Sequence, residues 1–280
     1  LGIGIVEQDY GQYAVYEQPD GHAQLYELPN QTETSYRIKG GTAQLIQALQ
    51  STLSKDQIAF DHQVLSLRFQ DTQVDIETNK GSFTTQTVVN TLPPHLFAET
   101  IKCIPELPSA SVKLFGTTHT WMSESIKVGL FSKDPFWQHM KVGTIYSQKG
   151  PVTEMYDHSN EKGYALKGFV YEQWAQQPAT IREQAVRNQL SRFFEKEKIA
   201  TCDYAEMDWS TEPFTFKAYP TPVIPHQNNG NPLLAEPLFD GKLLQAGSET
   251  APSFPGYMDG AVEAAKRVAE LLKRSDRISM

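Results

Sequence analysis

Apolar residues recur along the chain with two different periods. In segment 42–54 their spacing of three to four predicts an amphipathic helix, whose apolar face consists of Leu45, Ile46, Leu49 and Leu53. Segment 57–92 instead alternates with the two-residue period of half-buried strands, and a turn at 79–81 divides it. This segment therefore predicts a β-meander.

The middle of the chain predicts an antiparallel sheet with flanking helices. Strands are expected at 123–132, 140–147, 164–171 and 204–209. Thr180 and Glu183 have the spacing of a capping box that opens a helix. The helical spacing directs four apolar side chains inward, namely Ile181, Val186, Leu190 and Phe194. Segment 10–38 is expected to form loops and short strands, and segment 221–238 a surface loop.

Near the C terminus, a short apolar run is followed by a glycine-bearing turn and a helix that begins near Met258. The first turn of a helix presents unpaired N–H groups and a partial positive charge. Small residues around such a helix start let a flat ligand approach the backbone closely, and here these are Gly247, Ser248, Gly256 and Gly260. An ordinary strand–turn–helix of an α/β core would show the same pattern.

Composition excludes several function classes. The 280 residues are 39% hydrophobic and 21% charged, with a net charge of −8 that argues against a nucleic-acid partner. Cys103 and Cys202 are too few for a disulfide framework and are expected to be buried thiols. No apolar run is long enough to span a bilayer, so we expect no membrane partner and a cytoplasmic location. No histidines show metal-ligand spacing, and His95, His119 and His158 are expected on the surface or in loops.

Several motifs together resemble one family. The sequence AGSETAPSFPGYMDGAVEAA at 246–265 is similar to the C-terminal flavin-binding signature of the flavin-containing amine oxidases, which include monoamine and polyamine oxidases. Further similar segments follow in the family's order: RIKGGTAQLI at 37–46, FDHQV at 60–64, TLPPHL at 91–96, WM at 121–122, SIKV at 125–128, PFW at 135–137, DW at 208–209 and AY at 218–219.

The resemblance implies a mixed α/β fold with two domains. Residues 1–92 and 239–280 would form a discontinuous FAD-binding domain, and residues 93–238 a substrate domain with a mixed or antiparallel sheet and flanking helices. The family opens with G-x-G-x-x-G, whereas Gly2 and Gly4 have no third glycine at the required spacing. We therefore expect the N-terminal nucleotide-binding segment to be missing. The chain would then be marginally stable, or a homodimer partner or another segment would cover the gap.

The resemblance also implies catalytic residues. Tyr219 and Tyr257 match the two rings that form an aromatic cage before the flavin, and ring faces attract cationic nitrogen. Lys127 matches the lysine that holds a water against flavin N5, and Trp209 matches an indole beside the isoalloxazine. Ala218 stands where some members carry a flavin-linking cysteine, so FAD is expected to bind non-covalently.

The cofactor-binding residues implied by the resemblance lie in three parts of the chain. Gly40 and Gly41 would allow close approach to the cofactor, and the backbone of Val64 would contact adenine. At the last turn, Glu249 would approach the phosphate–ribityl region, and the N–H of Met258 the pyrimidine edge. Gly247, Ser248 and Tyr257 complete this set.

The implied activity is oxidation of an amine to an imine, with hydride transfer to FAD and reoxidation by O2 to give H2O2. Two alternatives remain open from the sequence. One is a related amino-acid oxidase or desaturase on the same scaffold. The other is a cofactor-free fragment or interaction module of such an oxidase.

Overall fold

The computed structural model describes residues 3–29, 34–120 and 122–278, with side chains except those of Glu172 and 275–278. Gly2 and Trp121, which belong to the motifs above, lie outside these residues. The strands are β1 (Ile5–Glu7), β2 (Tyr13–Glu17), β3 (Ala23–Glu27), β4 (Tyr36–Ile38), β5 (Val64–Phe69), β6 (Val74–Thr78), β7 (Gly81–Thr85), β8 (Val88–Asn90), β9 (Lys102–Ile104), β10 (Ile126–Ser132), β11 (Val142–Ser147), β12 (Val152–Asp157), β13 (Tyr164–Val170), β14 (Asp203–Asp208) and β15 (Leu243–Gln245). The helices are α1 (Ala43–Gln50), α2 (Pro94–Thr100), α3 (Ser109–Gly116), α4 (Phe136–His139), α5 (Ala179–Leu190), α6 (Lys196–Ala200) and α7 (Met258–Ile278).

Contacts divide the chain into two compact units. Unit 1 contains Leu1–Ile58 and Ser125–Asp208, and unit 2 contains Ala59–Glu124 and Trp209–Met280. The domain boundaries expected from the sequence, after residues 92 and 238, both fall inside unit 2. The division into cofactor and substrate roles stays a prediction.

Unit 1 is built on a seven-stranded sheet in the order β14-β10-β13-β12-β11-β2-β3. Only the β11–β2 pair is parallel, and the other neighbours are antiparallel. The core of the unit packs alternate residues of β10 against α4 and α5, and includes Ile126, Leu130, Trp137, Val186 and Leu190. Strand β12 was not expected from the sequence. The predicted strands at 123–132, 140–147, 164–171 and 204–209 are confirmed as β10, β11, β13 and β14.

The predicted start of α5 is wrong, and so is one of the four residues of its predicted inner face; Val186, Leu190 and Phe194 are buried as predicted. The helix begins at Ala179, directly after Pro178, so Thr180 lies inside the first turn and no side chain caps the helix. Ile181 is 48% exposed, and the neighbouring Arg182 is buried instead. The cause is an ion pair, because the Arg182 guanidinium binds the carboxylate of Glu206 on β14. The spacing of apolar residues alone could not show that a charged residue occupies the inner face.

Helix α1 forms where the sequence predicts it, but it has no buried residue. Ile46, Leu49 and Leu53 remain about half or more exposed, at 62%, 49% and 48%. The helix therefore lies on the surface of unit 1, with its apolar face outward.

Unit 2 contains a four-stranded sheet in the order β7-β6-β5-β9 and a parallel pair, β15–β8. The predicted meander is confirmed for β5, β6 and β7, with its turn between β6 and β7, whereas β8 leaves this sheet and pairs in parallel with β15. Strand β9 was not expected from the sequence, and it joins β5 in parallel. Leu67, Val74, Phe97, Phe115 and Leu243 are among the core residues of the unit. Both cysteines of the chain are buried free thiols, as predicted.

Candidate functional site

The strand–turn–helix near the C terminus forms as predicted in unit 2. Strand β15 ends at Gln245, Ser248–Thr250 make a short 3-10 turn, and α7 begins at Met258. This turn borders a cavity of about 610 Å³, a volume typical of small-molecule sites. Small side chains of α7 line one side of the cavity: Ala261, Ala265 and Ala269.

Arg267 fixes α7 against the end of β15. Its Nη2 donates to the carbonyl oxygen of Gln245 at 2.7 Å and to Oγ1 of Thr250 at 2.9 Å. Its Nη1 donates to the carbonyl oxygen of Ala235 at 3.1 Å. Burial lowers the pKa of this guanidinium, against the opposing effect of Glu263. Arg267 thus holds the turn at 248–250 in place, a role that sequence reasoning missed.

Glu249 is a buried carboxylate on the cavity wall. It is 4% exposed, and among the described residues its side chain accepts one hydrogen bond, from the Ser248 hydroxyl at 3.2 Å. An ionised carboxylate has about four acceptor positions, and buried acceptors are normally satisfied. The Glu249 carboxylate therefore has unused acceptor capacity on the cavity wall. Gly247 is also buried beside it, and a Cβ there would lie 3.0 Å from the Glu249 carboxylate.

Tyr219 is held between two histidines. Its ring stacks on His95 with the ring centroids 4.0 Å apart, and it meets His119 edge-on at 4.6 Å. Its hydroxyl accepts from the N–H of Thr120 at 3.0 Å and donates to the carbonyl oxygen of Thr118. Burial raises the pKa of this phenol, as does the negative charge of Glu249. Because Thr120 also lines the cavity, Tyr219 is linked to the cavity wall through that residue.

The expectation that His95 lies on the surface or in a loop is wrong, because it belongs to α2, whereas His119 does lie in a loop. Both are buried, at 3% and 2% exposure. His95 Nε2 donates to the carbonyl oxygen of Ala218 at 3.1 Å, and His119 Nδ1 accepts from the N–H of Ile224 at 2.7 Å. Each imidazole thus joins packing with a backbone hydrogen bond. The sequence carries no local signal for this cluster, because His95 and His119 precede Tyr219 by a hundred residues or more.

Tyr257 and Met258 lie at the start of α7. Tyr257 is 45% exposed, and its ring is nearly parallel to that of His226, with the centroids 5.7 Å apart. Met258 is the first residue of the helix and is more than half exposed. Gly256, which precedes both, lines the cavity and has a positive φ of 83°. Its missing side chain leaves room for the amide of Asn229, which would be 3.0 Å from a Cβ.

Two further predicted residues lie elsewhere on unit 2. Val64 opens β5 and lines a second cavity of about 620 Å³, together with Phe97 and the exposed Phe214. Trp209 opens the 3-10 turn Trp209–Thr211 and is half-buried. Neither residue is among those that line the cavity at Glu249.

The remaining predicted residues belong to unit 1. Gly40 and Gly41 form an exposed turn before α1, and both have positive φ, 79° and 91°. Lys127 lies on β10, opposite Phe169 of β13 and Met207 of β14. Its Nζ is 5.4 Å from the centroid of the Phe169 ring. Lys127 is half-buried, on a strand whose neighbouring residues are buried and apolar.

Comparison with known families identifies the chain. The sequence model of the flavin-containing amine oxidoreductases matches residues 11–273. The chain belongs to this family. The resemblance inferred from the motifs is thereby confirmed, and the family indicates a flavin cofactor.

Individual relatives are similar over most of the chain. The flavin-containing amine oxidase A of Equus caballus is 26% identical over 278 residues, which cover 94% of this chain and 51% of the relative. A probable flavin-containing monoamine oxidase A of Dictyostelium discoideum is 27% identical over 248 residues, 85% of this chain and 53% of the relative. The chain thus spans about half the length of these curated relatives.

Solved structures share the fold. Putrescine oxidase bound to putrescine superposes with a TM-score of 0.81 at 16% identity, covering 97% of this chain and 83% of that one. Cyclohexylamine oxidase from Brevibacterium oxydans gives a TM-score of 0.69 at 23% identity, covering 83% and 53%. At these identities the comparison concerns the fold alone, and it confirms the predicted mixed α/β class.

The residues around the Glu249 cavity fit a flavin nucleotide. The unused acceptors of Glu249 suit the hydroxyl groups of a ribityl chain. Two more groups near the cavity are buried without a hydrogen-bond partner among the described residues: the Thr120 hydroxyl and the Asn229 side-chain amide. An amide that offers both a donor and an acceptor matches a pyrimidine edge, which presents the same two functions.

The described residues contain no group of three or more histidine, cysteine, aspartate or glutamate side chains arranged to hold a metal ion. None of the helices in the described part of the chain has both the length and the apolar composition required to cross a membrane.

Proposed function

We propose that this chain carries out flavin-dependent amine oxidation, converting an amine to an imine with FAD as the electron acceptor and O2 as the oxidant. The cavity at Glu249 is the observation that carries the proposal. It combines a glycine-bearing turn and a helix start, both on the segment that resembles the family's flavin-binding signature, with two nearby buried polar groups, of Thr120 and Asn229, that have no partner among the described residues. Bound FAD would supply a two-electron acceptor for the hydride of the amine α-carbon, and its reoxidation by O2 would yield H2O2.

The residues of the chain would bind and orient the reactants. Tyr219 and Tyr257 are proposed to flank the substrate nitrogen, and the histidine stack on Tyr219 supports this role because it limits rotation of the ring. Lys127 would hold a water molecule, and its half-buried position favours a specific hydrogen bond over free solvation. Trp209 would pack beside the flavin ring. The entry of a neutral amine between apolar ring faces would exclude bulk water from the reacting carbon.

Binding of FAD to this chain tests the proposal directly. Purified chain is titrated with FAD, and flavin fluorescence and absorbance are followed. Saturable binding is expected, and Glu249→Gln should weaken it about tenfold or more because hydrogen bonds to a charged acceptor are lost. Glu99→Gln is the matched control, since Glu99 is an exposed residue of α2 in the same unit. A folded chain that binds no FAD would instead favour the cofactor-free module.

FAD is proposed to bind without a covalent bond. Ala218, at the position of the family's flavin-linking cysteine, is exposed and offers no nucleophile, while its carbonyl oxygen accepts from His95. Acid precipitation should therefore release all flavin into the supernatant. Ala218→Cys supplies the missing thiol, and part of the flavin should then stay with the precipitate. Flavin retained by the unchanged chain would contradict the proposal.

A second copy of the chain or an additional segment is proposed to cover the β15–β8 pair. These two strands form a parallel sheet by themselves among the described residues, whereas parallel sheets are normally covered on both faces. Val89 on β8 is 40% exposed. Sedimentation of the purified chain at rising concentration distinguishes a dimer from a monomer that needs a separate segment.

A further inference from the structure

Unit 1 contains a cavity of its own, of about 620 Å³, distinct from the two cavities of unit 2 and not used by any of the roles proposed above. Its walls are largely aromatic, with Tyr10, Tyr146, Tyr156 and Phe169 among the lining residues. Tyr156 meets Tyr10 and Tyr146 edge-on, with ring centroids 5.8 and 6.2 Å apart. Such a box presents flat apolar faces, which suit a planar or aromatic ligand.

Strand register explains why these side chains converge. Lys167 and Phe169 lie two residues apart on β13 and therefore project from the same face. Tyr156 of β12 is directly opposite Lys167. Tyr146 of β11 is opposite Glu154, two residues before Tyr156 on β12, and so shares a face with Tyr156. Three adjacent strands thus direct these aromatic groups and one ammonium group to a common side of the sheet.

The charged residues that line this cavity are all cationic. Arg37 and Lys167 line it, and no aspartate or glutamate does so among the described residues. Arg37 Nη2 donates to the carbonyl oxygen of Ser159 at 2.8 Å, but its buried Nε has no hydrogen-bond acceptor in the described part of the chain. Lys167 forms no ion pair with a described carboxylate. Glu154, on the neighbouring strand β12, accepts a hydrogen bond from the hydroxyl of Tyr156 at 3.0 Å.

The cations interact unfavourably with each other. Burial lowers the pKa of Lys167, and the positive charges of Lys127 and Arg37 lower it further, while Glu154 opposes them. Both Lys127 and Lys167 have their ammonium groups within 6 Å of the Phe169 ring, at 5.4 and 5.9 Å from its centroid. An anion placed between Arg37 and Lys167 would relieve this repulsion and satisfy the free Nε–H.

We propose that the cavity of unit 1 binds a molecule with a flat aromatic body and a carboxylate, held by Arg37 and Lys167 against the rings of Tyr146 and Tyr156. A simple amine would bring a positive charge to the same cations and would be repelled. Two kinds of molecule share the required chemistry. One is an aromatic amino acid, which would itself be the amine substrate. This possibility rests on the proposed function. The other is an aromatic carboxylate that is bound without reacting.

Calorimetric titration of the whole chain with three matched probes tests the proposal. 3-Phenylpropionate has the aromatic body and the carboxylate, phenethylamine has the body and an amine, and phenylalanine has all three groups. We expect binding of 3-phenylpropionate and phenylalanine and no binding of phenethylamine. Arg37→Gln and Lys167→Met should each weaken 3-phenylpropionate binding about tenfold or more, because a charged hydrogen bond is lost.

Lys162→Met is the matched control, since Lys162 is an exposed lysine of the same unit and should leave binding unchanged. Thermal unfolding of each variant shows whether it is folded. The proposal is overturned if folded wild-type chain does not bind 3-phenylpropionate, if phenethylamine binds equally well, or if a folded Arg37→Gln or Lys167→Met chain keeps full affinity.

Peroxide release from phenylalanine by FAD-loaded chain identifies the ligand as a substrate. Binding without peroxide, by an FAD-loaded chain that does oxidise a non-aromatic amine such as butylamine, identifies a non-reacting carboxylate. Either result supports the binding proposal. If the chain does not bind FAD, only the proposed function is contradicted, because FAD binding is measured in a separate titration with the Glu249→Gln variant of unit 2.

Discussion

Replacement of Gly260 by alanine tests the geometry of the turn that carries Tyr257. Gly260 lies in the first turn of α7, and an ideal Cβ there would be 2.3 Å from the carbonyl oxygen of Phe254 and 3.3 Å from Cβ of Ala251. A carbon and an oxygen that are not bonded need about 3.2 Å or more, so the carbonyl must retreat by nearly 1 Å. Glycine at position 260 therefore permits this close backbone contact. An alanine Cβ there would displace a segment that includes Tyr257.

The expected cost follows from two opposing effects. Forced overpacking costs about 1–3 kcal/mol, while alanine returns up to about 1 kcal/mol of helix propensity over glycine. We therefore expect Gly260→Ala to lower the free energy of unfolding by about 0–2 kcal/mol. Gly116→Ala is the control, because Gly116 ends α3 in the same unit and a Cβ there has no neighbour within 4 Å. We expect Gly116→Ala to leave the free energy of unfolding unchanged or to raise it by up to about 1 kcal/mol.

Urea unfolding and FAD titration of both variants give the two readouts. FAD affinity should fall in Gly260→Ala, since Tyr257 and the start of α7 shift, and it should be unchanged in Gly116→Ala. A Gly260→Ala chain with unchanged stability and unchanged FAD affinity would refute the reasoning. Loss of stability without loss of affinity would show that the turn packs as described but does not contact the cofactor.

Three further predictions concern single side chains. Arg182→Ala should destabilise the chain by about 3–5 kcal/mol in urea unfolding, because it leaves Glu206 as a largely buried charge without its partner; a cost below about 1 kcal/mol would contradict the ion pair. Burial and neighbouring cations lower the pKa of His158 to about 4. The folded state then binds fewer protons than the unfolded state. The contribution of neutral His158 to the free energy of unfolding is therefore complete above about pH 6.5 and is lost as the pH falls towards 4. His158→Gln should reduce this pH dependence of the free energy of unfolding, as measured in unfolding curves at several pH values. Tyr219→Phe keeps the ring stack but removes the acceptor for the Thr120 N–H, so amine oxidation should fall less than in Tyr219→Ala, and equal rates in both variants would argue against a role for the ring.

Local patterns predicted the elements well where neighbouring residues decide the structure. The period-two alternation of 57–92 and its turn gave β5 to β8, and the start of α7 at Met258 followed from the glycine-bearing turn before it. Strands β9 and β12 were missed. Strand β9 has only three residues, and its pairing partner β5 is more than thirty positions away, so no hairpin signal exists for it.

Contacts between distant segments account for what the sequence could not predict in the candidate site. His95 stacks on Tyr219, which lies 124 positions later in the chain. Arg267, in the third turn of α7, donates to the carbonyl oxygen of Gln245 at the end of β15. Each of these residues alone is typical of an ordinary core or surface position. Only the fold shows that they hold the tyrosine and the turn that the motifs had singled out.

If the cavity of unit 1 binds an aromatic amino acid as proposed, strand register changes substrate preference within one family fold. Taken singly, Arg37 and Lys167 have the sequence context of solvated strand residues. The register of β12 against β13 sets Lys167 beside Tyr156, and the β1–β4 pair brings Arg37 to the same cavity. Exchange of both cations for neutral residues would leave an aromatic box without a charge requirement, which simple amines could enter. Selectivity between a simple amine and a carboxylate-bearing one would then depend on these two positions, while the proposed flavin-binding turn of unit 2 remained unchanged.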